Sequence, residues 1–281
     1  MTLFYRQLSG ELWKLFARKR TYIGFGVFLA VELAVLLLFQ IPKVQRSYGA
    51  LIERAGYGFE QYFSGLTLAF LILIWTISLL GGLYLALVAG DVVAKEVEDG
   101  TMRMTLCRPV GRVRLLAIKY LACALYTFAL IFFIGLTALA AGIARQGYGG
   151  LFVWAPLEGV FALYERGPGL ARYLGALPLM GLSLLAVTSL GFALSCFNMK
   201  PAAATIVTLS YVTVDFIFRQ IPYFESIKHW FLTTHMATWT NIFREHIPWP
   251  QIAEDYAYLL AVDLTLVVIA MVNFQQRDFK S

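Results

Sequence analysis

The residues whose types and spacing could do chemistry concentrate in one segment, AKEVEDGTMRMTLCRPVGRVRLLAIKY, Ala94–Tyr120. Glu96, Glu98 and Asp99 close an acidic helical turn beside Lys95. Gly100 can take the left-handed conformation that ends a helix. Thr101 can cap a following short helix, Met102–Leu106, and Pro109 disfavours helical geometry at Arg108. Gly111 offers a further turn, and Arg112, Arg114 and Lys119 lead into an apolar run, where they can snorkel toward headgroups. The pattern predicts a short amphipathic helix between two hinges, with Met102, Met104 and Leu106 as apolar knobs around Arg103. Such a helix can dock in a groove of a soluble partner or lie on lipid, and the residues alone do not choose between the two.

Three acids fall inside apolar runs: Glu32, Asp215 and Asp263. Charge in hydrocarbon is costly, and such residues face a cavity, a partner or a pathway. They are candidates for a translocation path, and equally for hydrogen bonds that hold a bundle together. His229, His235 and His246 share one loop, but their spacing matches no tight metal-ligand motif, so no metal site is expected. The chain has no G-x-x-x-x-G-K-[ST] to cradle phosphates, no G-x-S-x-G elbow and no H-E-x-x-H. Any nucleotide chemistry must then come from a second polypeptide.

The elements that position these residues are membrane helices. The chain is 59% hydrophobic and only 14% charged, with a mean hydropathy of +0.70, whereas soluble domains carry about 25% charge. A helix needs about 20 apolar residues to cross a bilayer. Six runs qualify, at 22–41, 66–88, 120–143, 173–197, 202–218 and 256–274. The expected fold is an all-α integral membrane protein, a single transmembrane domain over 1–281. Before the first span, residues 1–20 place Phe4, Leu8, Leu12, Leu15 and Phe16 at helical spacing among basic residues. This reads as an amphipathic helix in the membrane interface. A helix packed on the protein's own bundle is the alternative.

Of the 23 Lys and Arg residues, fourteen fall in the N-terminal segment, the loop 89–119, Lys200 and the tail. By the positive-inside rule, both termini are cytoplasmic. Cys107, Cys123 and Cys196 then lie at or near the cytoplasmic side, and no external disulfide framework is implied. The three outward loops, 42–65, 144–172 and 219–255, are rich in Trp, Tyr and Phe and read as short re-entrant or interfacial helices. The net charge of +6 suits anionic lipid headgroups and does not call for nucleic acid.

The run Glu96-x-Glu98-x-Gly100-Thr101, with Leu106, Pro109, Arg112 and Lys119 following, resembles the coupling segment of ABC-2 type transporter permeases. The basic amphipathic N-terminus, six spans, a long outward segment before the last span and the Gln276–Asp278 tail are similar to that family too. The size and loop resemble the branch that includes the nitrous-oxide-reductase maturation permease. Gly111 stands where the family has a small or hydroxyl residue before the Arg, and Cys107 precedes Arg108-Pro109. The specific motif is confined to the segment Ala94–Tyr120, while the architecture covers nearly the whole chain.

The resemblance implies the permease subunit of an ABC exporter in a bacterial inner membrane. A cytoplasmic coupling loop at 94–112 would dock on a separate ATPase. The contact would be made by Lys95, Glu96, Glu98, Gly100, Thr101, Met102, Arg103 and Leu106, with Pro109 and Arg112 shaping its exit. The implied assembly has two ATPase copies, which bind ATP and Mg, and a second permease subunit, in the simplest case an identical one. This chain would bind no cofactor and have no catalysis of its own. Two other classes stay open: a membrane-embedded lipid-modifying enzyme using Glu32 or Asp263, and a non-transporting ABC anchor or mechanotransmission subunit.

Overall fold

A computed structural model describes residues 2–54, 58, 62–107 and 111–277. Among the described residues the regular elements are helices but for one hairpin and a single β-bridge, and six helices are long and apolar enough to cross a membrane. A short helix, α1 (Thr2–Ala17), precedes the first of them, α2 (Lys19–Leu38). Helix α3 (Pro42–Arg54) follows. The second span is a rod of two α-helices, α4 (Gly65–Thr76) and α5 (Gly82–Glu98), joined by a π turn at Ile77–Gly81. Helix α6 (Thr101–Leu106) links it to the third span, α7 (Arg112–Gln146). The fourth and fifth spans are α8 (Arg166–Cys196) and α9 (Pro201–Gln220). After a 3-10 stretch, Pro222–Trp230, come α10 (Leu232–Met236), a second 3-10 stretch, Ala237–Phe243, and the sixth span, α11 (Trp249–Gln276).

Helix α8 is the central post. In its most apolar window 72% of residues are buried, against 28% for α2, 22% for α9 and 28% for α11. The outer three therefore turn large apolar side chains outward, among them Leu33, Ile206 and Leu264. A soluble protein would not tolerate so much exposed apolar surface, but hydrocarbon does. Close crossings use small residues: the Gly65 and Gly142 backbones touch, and a Cβ on either would meet the other's carbonyl oxygen. The Gly65 amide also donates to the Gly147 carbonyl at 2.9 Å.

The face away from the termini departs from the sequence reading. The loop expected to hold short helices contains an antiparallel hairpin, β1 (Leu151–Ala155) and β2 (Val160–Tyr164), in register Leu151 with Tyr164 through Ala155 with Val160. The segments LFVWA and VFALY are rich in the β-branched and aromatic residues that favour strands. Gly159, at φ 64°, makes the turn. Thr67 Oγ1 of α4 receives the Phe152 amide at 2.7 Å and donates to the Tyr62 carbonyl at 2.5 Å, which seats the hairpin on the bundle. On the other side, the Tyr164 hydroxyl donates to the Phe243 carbonyl at 2.7 Å and the Arg172 guanidinium lies 4.2 Å over the Tyr164 ring.

The apolar stripe of α1 is spent on the protein's own bundle. Leu15 is buried, and Leu8, Leu12 and Phe16 pack against the main core. The opposite stripe, with Leu3, Tyr5, Arg6 and Trp13, faces outward.

Candidate functional site

The face that holds both termini brings together α1, the end of α5, α6 and the start of α7. Helix α5 stops at Glu98 because Asp99 is its C-cap and Gly100, at φ 71°, turns the chain out. The Asp99 amide bonds the Lys95 carbonyl at 2.9 Å and the Gly100 amide bonds the Val97 carbonyl at 3.1 Å, satisfying the last turn. The Thr101 hydroxyl donates to the Glu96 carbonyl at 3.2 Å, tying the first residue of α6 to the helix it leaves. Met102 is buried in the core while Met104 is 68% exposed, so the two methionines point opposite ways.

The anticipated loop residues divide into two sets. Lys95 lies at the surface and pairs with Glu98 at 3.0 Å and Asp99 at 3.3 Å. Glu96 turns inward. Its Oε1 accepts from Lys119 Nζ at 2.8 Å and from Lys14 Nζ at 3.4 Å, and Met102 follows it into the core. Arg112 binds carbonyls at the end of α11, donating to Gln275 at 3.0 Å and Arg277 at 3.1 Å. Arg103 and Leu106 lie on α6, and their side chains are outside the described residues, as is Pro109.

Lys119 overturns the snorkelling expectation. Its side chain is fully buried, and Nζ sits 2.8 Å from both Glu11 of α1 and Glu96 of α5. Lys14 completes the cluster by pairing with Glu11 at 2.6 Å. A buried ammonium is tolerated only with close, well-placed counter-charges, and two carboxylates supply them. Two ammoniums and two carboxylates thus clasp α1 to the loop's root. Burial by itself works against a charged Glu11. The Lys119 and Lys14 ammoniums outweigh it and hold the Glu11 carboxyl below its ordinary value. Burial likewise opposes charge on Lys14, but Glu11 and then Glu96 raise its ammonium above the usual range. A second ion pair, Arg20 with Asp91, binds the start of α2 to α5. The Tyr84 hydroxyl meets that of Tyr126 at 2.8 Å beside it.

Beside the clasp lies a cleft of about 350 Å³, lined by Lys14, Ala17, Arg18, Lys95, Glu96, Asp99 and Thr101. Sequence reasoning found the α5–α6 half of it and missed the α1 half. The signal was present in Glu11, the one acid in a basic helix, facing the same way as Leu8 and Leu15.

The three intramembrane acids are not brought together. Glu32 accepts from Thr137 Oγ1 at 2.9 Å. Asp215 receives the Leu232 and Thr233 amides at 3.3 and 2.8 Å, so it caps α10. Its neighbour one turn on, Arg219, pairs with Glu158 and donates to the Thr233 carbonyl at 3.0 Å. Asp263 is buried with no hydrogen-bond partner for either oxygen. Of the loop histidines, His235 meets Asp255 at 2.7 Å and stacks on Tyr258. Among the described residues no group of three metal-ligating side chains occurs.

A family model described as "Protein of unknown function (DUF2705)" matches residues 33–280. No curated protein matches the sequence.

Proposed function

We propose that this chain, which belongs to that family of unknown function, is the membrane-spanning permease subunit of an ATP-binding-cassette exporter. Two copies work with two copies of a separate ATPase in a bacterial inner membrane, with both termini cytoplasmic. The ATPase binds ATP and Mg, and this chain binds neither. The observation that supports the reading most is the form of the α5–α6 junction. A six-residue helix stands out from the end of the second span on a left-handed glycine. It offers an exposed Met104 and borders an open cleft of mixed charge.

The root of this helix is rigid where its tip is open. Glu96, a turn before Gly100, is locked by Lys119 to α7 and by Lys14 to α1. A push on α6 therefore loads α5, α7 and α1 together. That is what coupling needs: a docking knob on one side and a stiff connection to several spans on the other. Met104 serves as the docking knob, while Glu96 acts through position and does not touch the partner. The outward stripe of α1, with Trp13 and Arg6, lies at the lipid headgroups, where an aromatic ring and a cation are both favoured.

Purification of the tagged chain from its native membrane in mild detergent tests the reading. A stoichiometric P-loop ATPase with vanadate-sensitive hydrolysis is the expected companion. Met104→Glu should release that companion while the chain still inserts and elutes as a single species, because the side chain packs against little of the chain itself. A clean preparation with no ATPase in several detergents would sink the proposal. A mechanotransmission subunit would retain the ATPase but show no stimulation of hydrolysis by any exported solute.

A further inference from the structure

The three acids within the spans differ in one respect that matters chemically. Glu32 has a hydroxyl donor in Thr137, and Asp215 has two backbone amides. Asp263 has nothing. It is 2% exposed, and neither carboxylate oxygen has a hydrogen-bond partner or measurable contact with solvent. Among the described residues no Lys, Arg or His lies within ion-pair distance of it. A bare carboxylate so placed is among the costliest arrangements a bundle can contain. Neutralisation by a bound cation relieves that cost.

The surroundings suit such a cation. Helix α11 meets α10 and the stretch Ala237–Phe243 near its start, where His235 and Thr238 reach Asp255, and packs chiefly on α8 and also on α7. From those two helices the groups near Asp263 are the Ser189 hydroxyl and the Tyr120 ring. These two hydroxyls bond one another at 2.8 Å. Each can rotate to donate or accept, so they can serve a carboxyl in either of two charge states. Tyr120 is the titratable neighbour and directly follows Lys119, so the polar pair leads from Asp263 toward the clasp at the terminal face. Around it the packing is apolar: Phe192 lies against Tyr120 at 5.4 Å between ring centres.

We propose that Asp263, with Ser189 and Tyr120, forms a binding site for one monovalent cation, H⁺ or Na⁺, within the bundle. The cation neutralises the carboxylate when bound and leaves along the Tyr120–Ser189 pair. The site does not depend on the permease reading, since it follows from the bundle interior alone.

A hydrophobic carbodiimide tests it. The reagent takes up the carboxyl proton on a nitrogen while the carboxylate oxygen adds to its central carbon. Acyl transfer to nitrogen then leaves a stable acylurea. The full chain in lipid nanodiscs is treated over a pH series, with Na⁺ or with choline at equal ionic strength, and the label is mapped by peptide mass spectrometry. The expected result is label at Asp263 that is lost in Asp263→Asn. Loss of label with rising pH, indifferent to Na⁺, identifies the cation as the proton. Protection by Na⁺ but not choline identifies it as Na⁺. Ser189→Ala and Tyr120→Phe should shift the pH or Na⁺ midpoint, which a merely structural contact would leave in place. The proposal is overturned if Asp263 stays unlabelled at every pH without Na⁺ while Glu32 in the same sample is labelled. It is equally overturned if Asp263 is labelled to the same extent under all conditions. Neither result requires an ATPase, so failure here and failure of the permease reading are separable.

Discussion

Replacing Lys119 with methionine should expose how much the clasp holds. Methionine keeps most of the length of the stem and removes the ammonium. Glu11 and Glu96, with side chains 14% and 10% exposed, then face each other across the vacated position with Lys14 as their remaining counter-charge. Breaking a buried pair by removing one partner costs about 3–5 kcal/mol. Lys14 remains, half-exposed, and some water reaches both carboxylates, so the lower end applies, about 3 kcal/mol. That corresponds to about a hundredfold in the folded/unfolded ratio. The assay is thermal or denaturant unfolding of the full chain in detergent, followed by fluorescence-detected gel filtration. The double variant Lys119→Met/Glu96→Gln separates the clasp from simple packing loss. With one stranded carboxylate neutralised, it should be less destabilised than the sum of the two single variants by at least about 1 kcal/mol. Strict additivity would refute the clasp as a coupled unit, and a Lys119→Met chain of full stability would refute it altogether.

Three further outcomes follow from the same geometry. The Glu11 carboxyl is held below its ordinary value, so its contribution is present above the unfolded carboxylate range, near pH 4, and is lost as pH falls through the lower folded value. Glu11→Gln should therefore flatten the acid limb of a stability–pH profile and, because Glu11 is the leading group that raises Lys14, also soften its alkaline limb. Gly100 sits at φ 71° with open space where a Cβ would go. Gly100→Val should cost about 1–2 kcal/mol through backbone strain alone, with Gly100→Asn milder, measured by the same unfolding assay. Asp215→Asn keeps the shape but weakens the cap on α10, at about 1 kcal/mol, and should raise amide hydrogen exchange across 222–243 without changing exchange in α4 or α7.

Much of the bundle could be read from hydropathy because lipid imposes it: a spanning segment must be a helix and must be apolar for its whole length. Helix α7 shows where that reading stops. Its apolar run begins at Tyr120, but the helix begins at Arg112, since a helix continues past the hydrocarbon wherever no residue breaks it. The hairpin at Leu151–Tyr164 was hidden for a different reason. Five-residue apolar stretches do not reveal their period, and aromatic content was read as interfacial anchoring when Phe152 and Val153 in fact fill the core. The junction at Gly100 was legible, because its signals are local: an acidic turn, a glycine, a threonine. The clasp was not, because Glu11 and Lys119 are 108 positions apart, and charge pairing at that distance leaves no periodic trace in one sequence. Lys119 at the foot of an apolar run looks like a snorkelling lysine until α1 is laid across it.

The position of α1 changes how the terminal face would move. A helix resting only on headgroups would slide independently of the spans, and a load on α6 would stop at α5. Here α1 presents Leu15 to the core and Glu11 to Lys119. The Thr21 hydroxyl donates to the Leu15 carbonyl at 2.6 Å across the α1–α2 corner, and Arg20 pairs with Asp91. Two separate ion-pair contacts on α5, at Asp91 and Glu96, thus grip the α1–α2 corner and α1 itself. Any tilt of α5 must carry that corner with it or break buried charge pairs, and breaking one costs several times the thermal energy. The cheaper path is for α1, the start of α2 and α5 to move as a block, with give at the π turn of Ile77–Gly81, where the wider turn already departs from the regular hydrogen-bond ladder. On the permease reading proposed above, cross-linking α1 to α5 through a cysteine pair at exposed positions should therefore leave ATPase-coupled activity unchanged. Loss of activity would mean that α1 has to part from α5 during the cycle, and that the clasp is a latch to be opened.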